Sequence, residues 1–127
     1  MSAKILLAED NAANRYLETF LLEKAGYTVI HAQNGAEALR LALADQPDLV
    51  LMDLQMPEMD GYESARRIHA EPRLAETPIV AVTSFAMTRD REKALQFGFA
   101  GYIEKPIRPQ TFAAEISQFL TGKAGSS

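Results

Sequence analysis

Hydrophobic positions along this chain alternate between two periods. Lys4-Ile-Leu-Leu-Ala8 is a continuous apolar run that stops at Glu9-Asp10-Asn11, the pattern of a buried strand ending in an acidic loop. From about Ala12 to Ala25 the apolar residues Leu17, Phe20, Leu21 and Ala25 recur at helical spacing, and Gly26 follows where a helix end favours a left-handed residue. The pattern then repeats: Thr28 to Ala32 reads as a strand, and Gly35 to about Ala44 as a helix with Ala38, Leu39, Ala42 and Leu43 inward. Leu49-Val-Leu-Met52 is the most continuously apolar run, so it predicts a central strand covered on both faces and ending at Asp53. A loop with Met56, Met59 and Pro57 precedes a helix from about Gly61 to Ala70. Ile79 to Val82 gives a fourth strand ending at Thr83-Ser84, a helix is expected from about Thr88 to Phe97, and Gly101 to Glu104 is a short fifth strand before Lys105-Pro106. The last helix, about Gln110 to Leu120, places Phe112, Ile116, Phe119 and Leu120 on one face.

Strict alternation of strand and helix with short loops calls for a parallel sheet with helices on both faces, since parallel neighbours need crossover connections of fixed hand. The expected architecture is a doubly wound five-stranded α/β sheet in the order 2-1-3-4-5. Residues 1–121 form the one expected domain, and the small and polar residues 122–127 a disordered tail.

A length of 127 residues leaves room for one core. The net charge of −4 disfavours nucleic acid and anionic membrane. Without cysteine there is no disulfide, thiolate metal site or cysteine nucleophile, and no apolar stretch is long enough for a membrane helix. The cytoplasm is the expected location.

Ligands of open parallel sheets bind beyond the carboxyl ends of the strands, near the reversal of strand order. That rim receives Glu9 and Asp10 from the first strand, Asp53 from the third, Thr83 from the fourth and Lys105 from the fifth. Three neighbouring carboxylates repel one another unless a cation joins them, and a hard divalent ion such as magnesium suits such ligands. A carboxylate can also attack phosphorus to form an acyl phosphate, provided that the charge on the transferring group is neutralised. Asp53, at the end of the most buried strand, is the nucleophile candidate, Glu9 and Asp10 the metal clamp, and Lys105 and Thr83 the neutralising pair.

These residues sit in four motifs: AEDN at Ala8–Asn11, DLQMPEMDG at Asp53–Gly61, PIVAVTS around Thr83 and GYIEKP ending at Pro106. Together they resemble the response-regulator receiver family, over nearly the whole chain from Lys4 to about Leu120. The resemblance implies a flavodoxin-like fold and phosphorylation of Asp53 from a phosphohistidine on a sensor histidine kinase or histidine phosphotransfer protein. It implies magnesium, with manganese as a substitute, held by Asp10, Asp53 and the backbone carbonyl of Gln55, with Glu9 acting through water. It further implies that Thr83 and Lys105 grip the phosphoryl oxygens, that Tyr102 is an aromatic switch, and that the Lys105–Pro106 bond is cis. The first helix around Asn14 and Arg15 and the loop Ile107–Pro109 are the expected phosphodonor contacts, and a downstream protein reads the state. Ser84, where the family often has alanine, and the variable Gln55 and Phe85 bear on the lifetime of the phosphoryl group.

Two other classes remain to be tested against structure. A phosphatase or phosphotransferase resembling the haloacid dehalogenase group needs a second Asp two positions after the nucleophile, where this chain has Gln55. A flavin or nucleotide carrier needs Gly, Ser or Thr in the loop after the first strand, where this chain has Glu9-Asp10-Asn11. The expected role is therefore a signalling acceptor with slow self-dephosphorylation, not a turnover enzyme, either standing alone or as a segment of a larger regulator. His31 and His69 read as structural or surface residues, and Arg89, Arg91 and Lys93 as a solvated helix face.

Overall fold

The computed structural model describes residues 3–54, 61–83, 92, 93 and 96–125, with side chains described to residue 120. The elements follow as β1 (Lys4–Ala8), α1 (Ala12–Lys24), β2 (Thr28–Ala32), α2 (Gly35–Asp45), β3 (Leu49–Asp53), α3 (Gly61–His69), a 3-10 turn (Pro72–Leu74), β4 (Ile79–Thr83), β5 (Gly101–Glu104) and α4 (Phe112–Gly125). The strands form one parallel sheet in the order β2-β1-β3-β4-β5, the expected doubly wound arrangement. Most of the helix expected at Thr88–Phe97 lies outside the described residues, as do Met56, Met59, Ser84, Phe85, Arg89 and Arg91. No described helix is long and apolar enough to cross a membrane.

Side chains alternate across the pleat with period two, so the strands split the core in two. Leu6, Ala8, Val50, Met52, Ile79 and Ala81 face α2 and α3, where Ala38, Ala42, Ala65 and Ile68 are fully buried. Ile5, Leu7, Leu49, Leu51, Val80 and Val82 face α1 and α4, meeting Leu22, Phe112 and Ile116. β3 is buried at all five positions, as its unbroken apolar run requires.

The helices start where polar caps stand. Asn11 Oδ1 accepts from Asn14 N at 2.9 Å and Asn34 Oδ1 from Glu37 N at 2.8 Å, satisfying amides that have no partner within their helices. Gly26, at φ 99°, takes the left-handed conformation after α1. The last helix begins at Phe112 rather than Gln110, because Thr111 N and Phe112 N both close a turn onto Arg108 O, and its backbone continues past the apolar stripe to Gly125.

The inward face of α1 differs from the expected one. Leu17 and Leu21 are half-buried, but Ala25 is exposed and Phe20 is 52% exposed, while the buried positions are Glu18 and Leu22. The i, i+4 pair that meets the sheet is thus one residue out of phase with the purely apolar stripe, and it carries a carboxyl inward.

Gly61 opens α3 directly against the end of β3. A Cβ there would stand 2.7 Å from Asp53 O and 2.9 Å from Leu54 Cα, both backbone atoms with little freedom to yield. Gly61→Ala is expected to lower stability by about 1–3 kcal/mol, the usual cost of overpacking, as measured by urea unfolding. An unchanged midpoint would show that α3 can slide away from the strand end.

Candidate functional site

The register lines up the strand ends. Ala8 lies opposite Met52, Asp53 opposite Val82, and Thr83 opposite Glu104, so the next residues outward, Glu9 and Lys105, emerge at one rim with Asp53 and Thr83. Glu9, Asp53 and Thr83 are buried, at 1%, 3% and 4% exposure, while Asp10 is exposed. Lys105 Nζ donates to Asp53 Oδ2 at 3.1 Å and lies 3.3 Å from Glu9 Oε1. The backbone continues this lacing: Lys105 N donates to Thr83 O at 2.8 Å, Leu54 N to Val82 O at 3.2 Å and Glu9 N to Ala32 O at 3.1 Å. The Lys105–Pro106 peptide bond is cis. Tyr102, half-buried, lies opposite Ala81 on β4.

Glu9 is held at several atoms. Asn11 N donates to Glu9 Oε2 at 3.2 Å, and the His31 ring lies 3.0 Å from the Glu9 carbonyl through Nε2, the geometry of an imidazole N–H donating to it. Both histidines are therefore structural: His31 ties β2 to the loop after β1, and His69, whose Nε2 is 2.9 Å from Thr77 O, ties the end of α3 to the segment before β4. Exposed Lys93 places its ammonium 4.3 Å from the centroid of the Tyr62 ring.

Glu9, Asp10 and Asp53 each offer a carboxylate oxygen within 4.8 Å of the other two. Glu9 Oε1 is buried, with the Lys105 ammonium 3.3 Å away in an ion pair shared with Asp53. Hard oxygen ligands with surplus negative charge, open to solvent on the Asp10 side, fit a divalent cation that keeps part of its water shell. Gln55, whose carbonyl was expected to join them, lies outside the described residues.

Burial pushes the Glu9 carboxyl up to about 7, with the neighbouring Asp53 adding to the rise and Lys105 and the Asn11 amide opposing it. Burial also raises Glu18 to about 8, reinforced by Glu9. For Lys105 burial acts downward, but the charges of Asp53 and Glu9 overcome it and the ammonium form is favoured. The two raised carboxyls bind more protons folded than unfolded, so stability is full below the ordinary value of 4.5 and falls as pH rises through about 7 and 8. The metal-free protein should lose on the order of a few kcal/mol across this window, at about 1.4 kcal/mol per pKa unit, and magnesium should flatten the fall. Thermal unfolding against pH checks this, and stability rising over the window would contradict it.

Residues 5–117 match the family described as the response regulator receiver domain. The chain belongs to the response regulator receiver family. It is a receiver of two-component signalling, a phospho-accepting family of signalling proteins rather than classical enzymes. The receiver is 41% identical over 120 residues, 94% of its length and 98% of the relative's, to the polar-differentiation response regulator DivK of Brucella anthropi. Its fold is similar to that of the chemotaxis protein CheY4 of Vibrio cholerae, with a TM-score of 0.89 at 28% identity over 93% of this chain and 98% of that one. It is also similar to the receiver domain of the sensor histidine kinase PA1611 from Pseudomonas aeruginosa, a structure with a magnesium ion coordinated in the active site cleft. There the TM-score is 0.85 at 35% identity, over 98% of this chain and 99% of that one. Family membership sets aside the dehalogenase-like and flavin-carrier alternatives.

The described fold brings Glu9, Asp10, Asp53, Thr83 and Lys105 to one rim of the receiver, as their places at strand ends suggest. The sequence reading missed Glu18, which is 1% exposed. Its position four residues before Leu22 was the available signal.

Proposed function

We propose that Asp53 accepts a phosphoryl group from a phosphohistidine on a sensor histidine kinase or histidine phosphotransfer protein, and that the phosphorylated receiver changes its affinity for a downstream protein. The observation that carries this reading is the buried Asp53 carboxylate held 3.1 Å from the Lys105 ammonium beside an acidic cluster able to take a cation. An Asp53 oxygen attacks phosphorus in line, the P–N bond to the imidazole breaks, and its electron pair returns to the ring nitrogen. Lys105 and the Thr83 hydroxyl meet the phosphoryl oxygens. Asp10, Asp53 and, through water, Glu9 would hold magnesium, or manganese in its place, with the Gln55 carbonyl that the family resemblance adds to the set. When bound, the ion neutralises charge that develops on the transferring group. The acyl phosphate is then lost by slow hydrolysis.

Thr83, drawn toward the phosphoryl group, vacates space that Tyr102 enters, and a tenfold bias between two states needs only about 1.4 kcal/mol. A groove of about 630 Å³ joins the face around Tyr102 and Glu104, on which the change is read, to Ile107, Arg108 and Pro109 of the loop expected to meet the phosphodonor. With a net charge of −4 the reader is a protein rather than a nucleic acid, and the receiver works in the cytoplasm. Incubation with acetyl phosphate tests the core of this reading. Intact mass should rise by one phosphoryl group with magnesium and not with chelator, and a gain independent of divalent ions would overturn the metal role.

The donor docks on α1. Tyr16 and Phe20 are 76% and 52% exposed at i, i+4 spacing, and they line a groove of about 670 Å³ with Arg15, Thr19 and His31. Large exposed apolar side chains at one spot mark interaction surfaces. Phe20→Glu should slow transfer from a phosphorylated histidine phosphotransfer protein by about tenfold or more while leaving the acetyl phosphate reaction within about twofold. Equal effects on both donors would place the fault in the site instead.

A further inference from the structure

The Glu9 carbonyl is held from outside the four motifs, by a side chain that the proposed chemistry does not use. Glu9 lies one residue past the end of β1, and its amide still joins the sheet, donating to Ala32 O at 3.1 Å. A parallel ladder would next bring an amide from the β2 side to the Glu9 carbonyl, but the chain turns away at Asn34, whose side chain caps α2. His31 supplies the donor instead, with Nε2 3.0 Å from Glu9 O. Arg15 Nη1 lies farther from the same nitrogen, at 3.4 Å. The carbonyl can only accept, so Nε2 carries the hydrogen and the guanidinium stands beside the ring. The neutral ring with that hydrogen and the imidazolium both donate there, so the bond does not depend on the charge of the ring.

This bond bears on the residue that follows. Glu9 O belongs to the planar Glu9–Asp10 peptide, so fixing its direction fixes the plane from which Asp10 leaves. On the far side Asn11 is tied by its amide to Glu9 Oε2 at 3.2 Å and by its side chain to Asn14 N at 2.9 Å. The Asp10 side chain is exposed and, among the described residues, makes no hydrogen bond, so neither packing nor a partner aims it. The course of the backbone is what brings its oxygen within 4.8 Å of the Glu9 and Asp53 carboxylates.

We infer that His31 is a positioning residue: by donating to the Glu9 carbonyl it fixes the Glu9–Asp10 peptide so that Asp10 turns its carboxylate toward Glu9 and Asp53, and it thereby raises the affinity of the site for its divalent cation. The inference rests on the metal-assisted reading of the site given above. Partners that orient a metal site from behind its ligands commonly change affinity by about 10–100-fold when removed. His31 acts through the backbone rather than on a ligand oxygen, so the lower end of that range applies.

Calorimetric titration of magnesium into the unphosphorylated full chain tests this, with wild type, H31Q, H31L, H69L and D10N. The side-chain amide of glutamine can place a donor where imidazole Nε2 stands, so H31Q should stay within about threefold of wild type, whereas H31L should bind about tenfold more weakly. H31V, which suits a strand, replaces H31L if the latter does not fold. H69L removes a bond of the same kind, the 2.9 Å contact with Thr77 O, at the end of α3. Both apolar variants should lower the urea midpoint, but only the one at residue 31 should weaken magnesium binding, which separates positioning from stability. Wild-type affinity in H31L, an equal loss in H31Q, or a matching loss in H69L overturns the inference. If H31L binds normally while D10N does not, the metal reading stands and only the role of His31 falls. Absence of magnesium binding by wild type overturns both.

Discussion

Asp53→Asn is expected to abolish phosphoryl incorporation from acetyl phosphate while leaving the fold intact. The asparagine oxygen can still accept from Lys105 Nζ, which sits 3.1 Å from Asp53 Oδ2, and Lys105 keeps Glu9 as its other partner at 3.3 Å. The amide preserves volume at a position that is 3% exposed, so packing around Met52 and Val82 has no reason to change. What disappears is the anionic oxygen, and a neutral amide does not displace imidazole or acetate from phosphorus. One of the three clustered carboxylates goes with it, which weakens the cation site as well. Intact mass after incubation with donor and magnesium checks the chemistry, and far-UV circular dichroism checks the fold. Full incorporation into the variant would mean that another side chain is the acceptor.

Lys105→Met is expected to slow phosphorylation by about 100-fold or more, the usual effect of removing a preorganised donor from a developing anion. Two nearly fully buried carboxyl groups face this ammonium, so its loss also acts on stability. Breaking a buried pair from one side costs about 3–5 kcal/mol when the remaining charge stays ionised. Glu9 can escape part of that cost by taking up a proton, as its pKa of about 7 already permits, and bound magnesium can replace the lost cation. The variant should therefore be less stable than wild type without metal and regain much of the difference with it. Lys105→Arg keeps the charge but not the compact ammonium, and should retain more of the stability than of the rate. Stopped phosphorylation assays and urea unfolding with and without magnesium separate the two effects. A Lys105→Met receiver that phosphorylates at the wild-type rate would remove Lys105 from the mechanism.

The sheet order was legible because each parallel strand is a short apolar run followed by a helix, and such units have few ways to pack. The site was legible for a related reason: a polar residue that interrupts an apolar strand at its carboxyl end has to emerge at the rim. Glu9, Asp53, Thr83 and Lys105 all do so. The inward face of α1 was not legible from hydrophobicity, because Phe20 faces solvent and Glu18 faces the site. Helical spacing fixes which residues share a face, but the crossing of α1 over the sheet fixes which face is buried. The grip of His31 on the Glu9 carbonyl was likewise hidden, since it joins β2 to the loop after β1 through a contact that no local pattern encodes.

The most direct test is reductive trapping of the phosphorylated receiver. Borohydride reduces an aspartyl phosphate to homoserine, and peptide mass mapping then reads which residue carried it. The account predicts homoserine at residue 53 alone, formed only when donor and magnesium are both present. Homoserine at residue 10, or an unreduced phosphoryl group on Thr83, would contradict the assignment of Asp53 as the acceptor.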